Sequence, residues 1–274
     1  MRWFLVTKGI VHIFAKKIRY LYLVVFFKIC SQIRNTVGRY CSNNLKKMAV
    51  LKNTAEKKRC FIVATGPSLT PEDLESIKEE ITFGVNSIFL MYDKTDWRPS
   101  YYVCTDAPYF KRIQQEYGIM AENLSYYGLF LNSKSKKISK LFNETKDTHY
   151  IHFSGWNRAY DFERYQFSDN IVSGLYAFGT VTTVTMAIAM YMGYKEIYLI
   201  GADCNNLNKH FINDVTDADK DDEYVKNVIH AQLRGYEIMK HEAEIRGVKI
   251  YNATRGGALE VFERVTLEEI MGGR

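Results

Sequence analysis

Short apolar runs separated by polar and helical segments recur along the chain. The first is CFIVA at 60–64, and similar runs at 81–86 and 101–106 each end in a polar residue. Uninterrupted apolar runs of this length are typical of parallel strands buried on both faces of a sheet. Residues 127–131 and 149–153 are weaker strand candidates.

Helical patterns fill the stretches between these runs. Thr70 followed by Pro71 and two acids predicts a helix N-terminus, with the helix continuing to about residue 80. An apolar helix at 181–193 is followed by a strand at 197–203, and this spacing predicts a right-handed parallel crossover. The remaining elements predicted are a helix at 224–246, a strand at 248–251 and a short helix at 267–271.

This alternation of strands and helices predicts an α/β, Rossmann-like fold with a mostly parallel sheet over residues 56–274. In such sheets ligands bind outside the carboxyl ends of the strands. Thr65, Asn86 and Asp106 follow three of the predicted strands, so we expect them to converge on one crevice. The acidic stretch 213–222 is predicted to be a loop that closes over the ligand.

Residues 1–55 form a basic, aromatic segment of different character. Residues 1–54 contain 11 of the 37 Lys and Arg residues and no acid, so the rest of the chain carries 26 basic against 31 acidic residues. Its apolar residues recur with a helical period, which predicts an amphipathic helical extension that lies on a membrane surface through residues 1–50. There are two alternatives. The segment could be a helix that packs on the body or on a partner subunit, or it could be a membrane span or a secretory signal.

Composition excludes several other classes of protein. A body with an acidic excess does not favour nucleic-acid binding. The five cysteines are odd in number and contain no C-x-x-C pair, which favours neither a disulfide framework nor a zinc site. A reducing compartment fits this pattern.

Two turns between a strand and a helix are candidates for binding an anion. Backbone amides and hydroxyls at the start of a helix can hold a phosphate at the positive end of the helix dipole. An ordinary strand-to-helix turn is the alternative. The residues concerned are Thr65, Gly66, Pro67 and Ser68 in the first turn and Thr180, Thr182 and Thr183 in the second.

Three ionisable residues are candidates for the chemistry. Asp106 and Asp203, at strand ends, could hold Mg²⁺ with substrate phosphates or accept hydrogen bonds from sugar hydroxyls, or could simply cap the following turn. His230 lies in a helix after the acidic loop, where it could act as a general base; an ordinary surface histidine is the alternative.

Motifs at 61–69, 83–86 and 187–203 resemble those of the bacterial sialyltransferases of glycosyltransferase family 42. The strand-GPSL pattern and the pattern from Gly193 through Lys195 and Ile197 to Asp203 also resemble the related family similar to 6-hydroxymethylpterin diphosphokinase, whose members occur among surface-polysaccharide proteins. The resemblance covers roughly residues 60–252 and implies a Rossmann-like domain of the GT-A variant.

The sialyltransferase resemblance implies metal-independent transfer from a CMP-activated sugar. It implies that His230, 21 positions before Tyr251, is the catalytic histidine. Asn205 stands where that family has a tyrosine that assists the leaving phosphate. The residues that would contact the nucleotide are Thr65, Gly66, Ser68 and Asn86. Asp106 falls near a donor-binding Asn of that family, and either Thr180 or Val181 falls near its Ser before the long helix.

These observations together lead to a functional hypothesis. We expect a glycosyltransferase that moves a sugar from a nucleotide donor to a surface glycan or lipid-linked acceptor, in the cytoplasm at the inner face of the cell membrane. His230 and Asp203 are the predicted catalytic residues, with no cofactor, and homo-oligomerisation stays open. An ATP-dependent diphosphokinase, which would require Mg²⁺, and a non-catalytic nucleotide-binding scaffold are the alternatives.

Overall fold

A computed structural model describes residues 25–26, 29, 33, 42–55, 58–118, 123–135, 147–156, 165–205 and 222–272. Eight strands form the main sheet and two form a small one. The strands are β1 (Arg59–Val63), β2 (Thr82–Val85), β3 (Tyr101–Cys104), β4 (Gly128–Asn132), β5 (Thr148–Ile151), β6 (Phe153–Trp156), β7 (Leu175–Ala177), β8 (Glu196–Ile200), β9 (Lys249–Asn252) and β10 (Glu263–Arg264).

The main sheet has the strand order β10-β9-β8-β1-β2-β3-β4-β5. Every neighbouring pair in it is parallel. The chain first winds outward from β1 to β5 and then returns to the other side of β1 with β8. The predicted Rossmann-like α/β class is confirmed, and the direction of winding reverses between β1 and β8.

Helices cover both faces of the main sheet. Helices α1 (Asn43–Val50), α4 (Val181–Met192) and α5 (Asp222–Ile245) pack on one face. A 3-10 helix (Asn86–Met91) and the helices α2 (Pro71–Ser76), α3 (Ala107–Tyr117) and α6 (Leu267–Gly272) contribute to the core on the other. Burial on both faces explains why the strands are apolar throughout rather than alternating.

Most predicted elements are found within a few residues of their expected positions. Helix α2 is shorter than predicted, because the chain turns after Ser76 and carries the buried Glu80 carboxylate to within 2.8 Å of Arg59 Nη2. Strands β6, β7 and β10 were not predicted. Of the loop predicted at 213–222, residues 213–221 lie outside the described residues, and Asp222 begins α5.

Residues 42–55, within the predicted membrane-binding segment, pack on the sheet domain. Met48 of α1 is fully buried. The Asn44 side chain donates from Nδ2 to the carbonyl of Tyr150 at 2.9 Å and accepts from the Tyr150 N–H at 2.8 Å. Tyr150 lies in β5, the edge strand, so Asn44 satisfies backbone groups that would otherwise present an open sheet edge.

The rest of the N-terminal extension stays a prediction. The backbone is helical at Val25, Phe26, Ile29 and Ile33. Within the described parts of the chain, no helix has the length and apolar character needed to span a bilayer.

We predict that Asn44→Ala lowers the free energy of unfolding by about 1–3 kcal/mol, because it leaves two backbone groups of Tyr150 without their partner. Asn43→Ala is the matched control, since Asn43 is its exposed neighbour on α1. Urea unfolding monitored by circular dichroism measures both variants. Equal stability of the two would contradict the docking contact.

Candidate functional site

A cleft of about 150 Å³ opens at the carboxyl ends of β1, β2 and β8, where the winding of the sheet reverses. Parallel α/β sheets bind ligands at such switch points. The cleft is lined by Ala64, Thr65, Gly66, Pro67, Val85, Asn86, Thr180, Val181, Thr182, Gly201, Ala202, Asp203, Cys204, Gln232 and Tyr236.

The turn after β1 is held tightly against the end of β8. The Gly66 N–H donates to the carbonyl of Gly201 at 2.7 Å. A Cβ on Gly66 would lie 1.8 Å from Asp203 Oδ2 and 2.5 Å from the Gly201 oxygen, so no larger residue fits without displacing backbone. Ser68 Oγ donates to Asp203 Oδ2 at 2.9 Å. Contacts with the residues that follow β8, on the other side of the switch point, therefore hold the turn in position.

Asp203 joins three segments around the cleft. Its side chain accepts from Ser68 in the first turn, and its carbonyl accepts from the Ala258 N–H at 2.6 Å in the loop after β9. Asp203 is only 7% exposed, and this burial raises the pKa of its carboxyl, while the hydrogen bonds from Ser68 lower it. The described geometry gives Asp203 a clear part in positioning the turn.

The second turn begins helix α4 at the opposite wall of the cleft. Thr180 is the N-cap, and its hydroxyl accepts from the Thr182 N–H at 3.3 Å. Thr183 Oγ1 donates to the carbonyl of Thr180 at 2.7 Å and lies within 3.2 Å of the Phe178 carbonyl. Because Thr183 is fully buried, its hydroxyl braces the turn and does not line the cleft. The backbone N–H groups at the start of α4 could donate hydrogen bonds to an anion in the cleft.

Asn86 lines the cleft from the end of β2. Its φ of 48° is in the left-handed region, which Asn adopts more readily than most residues. The Tyr102 hydroxyl donates to the Asn86 carbonyl at 2.6 Å and stabilises this conformation.

Helix α5 contributes two residues that the sequence reasoning missed. Gln232 and Tyr236, four positions apart on one face of the helix, both line the cleft. The Tyr236 hydroxyl lies within hydrogen-bonding reach of the side chains of Thr182, Cys204 and Thr180, and burial raises the pKa of this phenol. The spacing of Gln232 and Tyr236 was the one signal in the sequence that could have identified them as cleft residues. It was not specific, because an aromatic residue on a helix usually belongs to the core.

The structure brings most of the predicted binding residues together. Ser68 reaches the cleft through its bond to Asp203, and Thr183 lies behind the second turn. The predicted residues that line the cleft directly are Thr65, Gly66, Pro67, Asn86, Thr180, Thr182 and Asp203.

Besides Ser68 and Thr183, three predicted residues lie outside the lining. Asp106 is exposed and caps α3, where its Oδ1 accepts from the Tyr109 N–H at 2.9 Å. Asn205 is exposed. His230 is exposed on α5, and since successive helical residues are about 100° apart, it lies about 160° around the axis from Gln232.

The cleft has little charge of its own. Among the described residues, its lining contains no Lys, Arg or His, and Asp203 is the one carboxylate there. Cys204 also lines it, and burial raises the pKa of that thiol to about 11. An anion here would be held by backbone N–H groups, hydroxyls and the dipole of α4. In the parts of the chain that the structure describes, no three His, Cys, Asp or Glu side chains are grouped as a metal site.

The strand order and the position of the cleft define a doubly wound α/β protein with a ligand site at its switch point. Residues 35–209 match the family described as 6-hydroxymethylpterin diphosphokinase MptE-like. The chain belongs to this MptE-like family, which confirms the superfamily suggested by the sequence motifs.

The other comparisons found only distant likenesses. No curated protein matches the chain. The MAf glycosyltransferase from Magnetospirillum magneticum AMB-1 aligns over 81% of this chain and 38% of its own, at 17% identity and a TM-score of 0.47. The sialyltransferase CST-II in complex with CMP aligns over 75% of this chain and 85% of its own, at 14% identity and a TM-score of 0.40. The chain thus spans less than half the length of the first of these proteins.

We predict that Gly66→Ala disrupts the site, because the added methyl group would overlap Asp203 Oδ2 and the Gly201 carbonyl. Overpacking of this kind costs about 1–3 kcal/mol or more. Gly272→Ala, with no atom within 4 Å of the new Cβ, is the matched control. Thermal unfolding compares them, and an unchanged melting temperature for Gly66→Ala would refute the close approach.

We predict that the stability of the protein relative to Asp203→Asn falls as the pH rises above about 4. Burial raises the pKa of Asp203 in the folded state, so the folded protein holds this proton more tightly than the unfolded chain does. The contribution is therefore favourable at low pH and is lost as the pH rises through the folded pKa. Urea unfolding of both proteins between pH 3 and pH 7, about the range in which a carboxyl titrates, measures it. A relative stability that increases with pH would contradict this assignment.

Proposed function

We propose that the protein is a glycosyltransferase that uses a nucleotide-activated sugar as donor. The observation that carries the proposal is the single cleft joining the turn at Gly66 to the N-terminus of α4 at the switch point of the sheet. The Gly66 N–H is bonded to Gly201 and Pro67 has no N–H, so the first turn shapes the cleft without supplying amide donors. The donors that the cleft offers to a phosphate group are the amides at the start of α4 and the hydroxyls of Thr180 and Thr182. The motifs similar to those of sialyltransferases support a CMP-activated donor.

Catalysis in such a site depends on stabilising the charge of the departing nucleotide. As the glycosidic bond breaks, negative charge grows on the leaving phosphate. Thr180, Thr182 and Tyr236 place hydroxyl groups close together beside the start of α4, where they can donate to that phosphate. Donors held in place before the reaction stabilise developing charge without reorganisation. The mechanism that we propose needs no metal ion.

The acceptor hydroxyl needs a base, and we propose His230 for this role. His230 lies on the outward side of α5, two positions before Gln232, which lines the cleft. An acceptor that approaches over the outer rim of the cleft could contact it there. This part of the proposal rests on the sequence resemblance, and Asp203 enters it as the residue that positions the first turn.

The second candidate is diphosphoryl transfer from ATP, the type of reaction named in the description of the MptE-like family. That reaction would need Mg²⁺ to neutralise the transferred phosphates. Asp203 is the carboxylate in the cleft that could ligate Mg²⁺ together with phosphate oxygens. Asp106 is less suited, since its carboxylate caps α3 and does not line the cleft.

We also propose that the N-terminal segment holds the enzyme on the inner face of the cell membrane. Its basic residues would contact anionic headgroups while its apolar residues enter the acyl boundary. Val25, Phe26, Ile29 and Ile33 are 47–56% exposed, which supports a surface that is available to lipid. The acceptor would then be a surface glycan or a lipid-linked molecule.

We predict that a cytidine nucleotide raises the melting temperature more than uridine, guanosine or adenosine nucleotides do, because it occupies the cleft. A ligand at 100 times its dissociation constant adds about 2.7 kcal/mol. EDTA should leave binding and transfer intact, whereas a diphosphokinase would stop. Selective stabilisation by ATP with Mg²⁺ would favour the second candidate and overturn the first.

We predict that His230→Ala lowers the rate of transfer by about 10²–10⁴-fold, because the acceptor hydroxyl loses its base, while nucleotide binding is unchanged. His241→Ala is the matched control, since His241 is an exposed histidine further along α5. Single-turnover transfer and calorimetric nucleotide binding separate the two effects. Full activity of purified His230→Ala would contradict the assignment of His230 as the base. Full function of His230→Ala in cells would favour a non-catalytic scaffold.

A further inference from the structure

The N-terminal segment joins the folded domain at a defined place. Helix α1 begins at Asn43, and Asn44 is bonded to both backbone groups of Tyr150 in the edge strand β5. Ser42 caps this helix, since its hydroxyl accepts from the Leu45 N–H. Ser42, where the N-terminal segment joins the domain, therefore lies beside Tyr150.

The strand registers show that this place is level with the cleft. Tyr150 pairs with Leu131 in β4, and Leu131 pairs with Cys104 in β3. Continuing the registers of β2 and β1 brings Cys104 level with Asn86 and Thr65, which line the cleft. The point of attachment and the cleft thus lie on the same carboxyl rim of the sheet.

Contacts just after the C-terminal end of α1 show in which direction this helix runs across the sheet. After α1, the Asn53 N–H donates to the carbonyl of Tyr191 at 3.1 Å and the Ala55 N–H to that of Met192 at 2.8 Å. Helix α4 starts at the cleft and ends at Met192, on the amino rim. Helix α1 therefore runs from the carboxyl rim to the amino rim, and its N-cap Ser42 lies on the rim that carries the cleft.

The segment has the chemistry of a surface that binds an anionic bilayer. Residues 1–41 contain 8 basic residues and no acid. Val25, Ile29 and Ile33 recur at steps of four, which places them on one face of a helix, and each is about half exposed. Charge and exposed apolar surface together favour an anionic membrane over a soluble anion.

We propose that the membrane-bound protein turns its cleft toward the bilayer. Strand β5 is four strands from β1, so the segment joins the rim about 19 Å from the cleft, at about 4.8 Å per strand. With the tether on this rim, the cleft opens toward the headgroups and the acceptor is a membrane-anchored molecule. This inference rests on the membrane-bound transferase proposed above and adds its orientation.

Energy transfer from two points on the domain to labelled lipids tests the orientation. A fluorescent amino acid replaces either Lys134, which is exposed just after β4 on the carboxyl rim, or Lys195, which is exposed just before β8 on the amino rim. Vesicles of phosphatidylglycerol and phosphatidylcholine carry an energy acceptor on their headgroups. We expect transfer to be more efficient from position 134 than from position 195.

The controls separate this inference from the proposed function. The proteins labelled at positions 134 and 195 should both keep the melting temperature of the parent. Energy transfer should vanish when the vesicles are pure phosphatidylcholine, and also when the labelled protein carries Lys16→Glu and Lys17→Glu. Equal or reversed efficiencies on anionic vesicles would overturn the orientation alone. Absence of vesicle binding would overturn the tether and the orientation, while nucleotide-induced stabilisation in solution reports on the transferase independently.

Discussion

The close approach of the first turn to the end of β8 is the constraint on which the rest of the site depends. Gly66 donates to Gly201 and leaves no room for a side chain, because Asp203 occupies the space that a Cβ would need. Ser68 then bonds to the same carboxylate. These contacts join the two strands that flank the reversal of winding, and they form the floor on which a ligand at the switch point would rest.

The lack of basic side chains among the described residues of the cleft gives it a particular chemistry. A phosphate held by lysine or arginine is attracted strongly whether or not it is reacting, whereas amides and hydroxyls act over short distances and depend on geometry. Thr180, Thr182 and Tyr236 concentrate such hydroxyls where α4 begins. A site of this kind suits a reaction in which charge appears on an oxygen during bond breaking. It also suits a donor that arrives as a weakly charged nucleotide ester.

Sequence reasoning predicted the site unevenly, and particular residues show why. The turns at Gly66 and Thr180 were predicted because each lies between a strand and a helix, and parallel topology brings such turns to one rim. Asp106 also follows a strand, but β3 is two strands from β1, and its carboxylate bonds to its own helix instead. The rotation of α5 presents Gln232 and Tyr236 to the cleft and His230 to solvent, a choice made by packing against α4 and the sheet.

The sequence by itself determined the α/β class, the order of the elements from β1 onward and the basic character of the N-terminal segment. Each of these follows from local patterns of apolar residues, caps and charge that act over a few residues. Only the tertiary structure decided that residues 42–55 dock on the sheet edge, that Asp203 supports the turn at Gly66 and that the start of α1 lies on the same rim of the sheet as the cleft. Those features depend on contacts between residues more than a hundred positions apart, such as Asn44 with Tyr150 and Ser68 with Asp203, which no local pattern encodes.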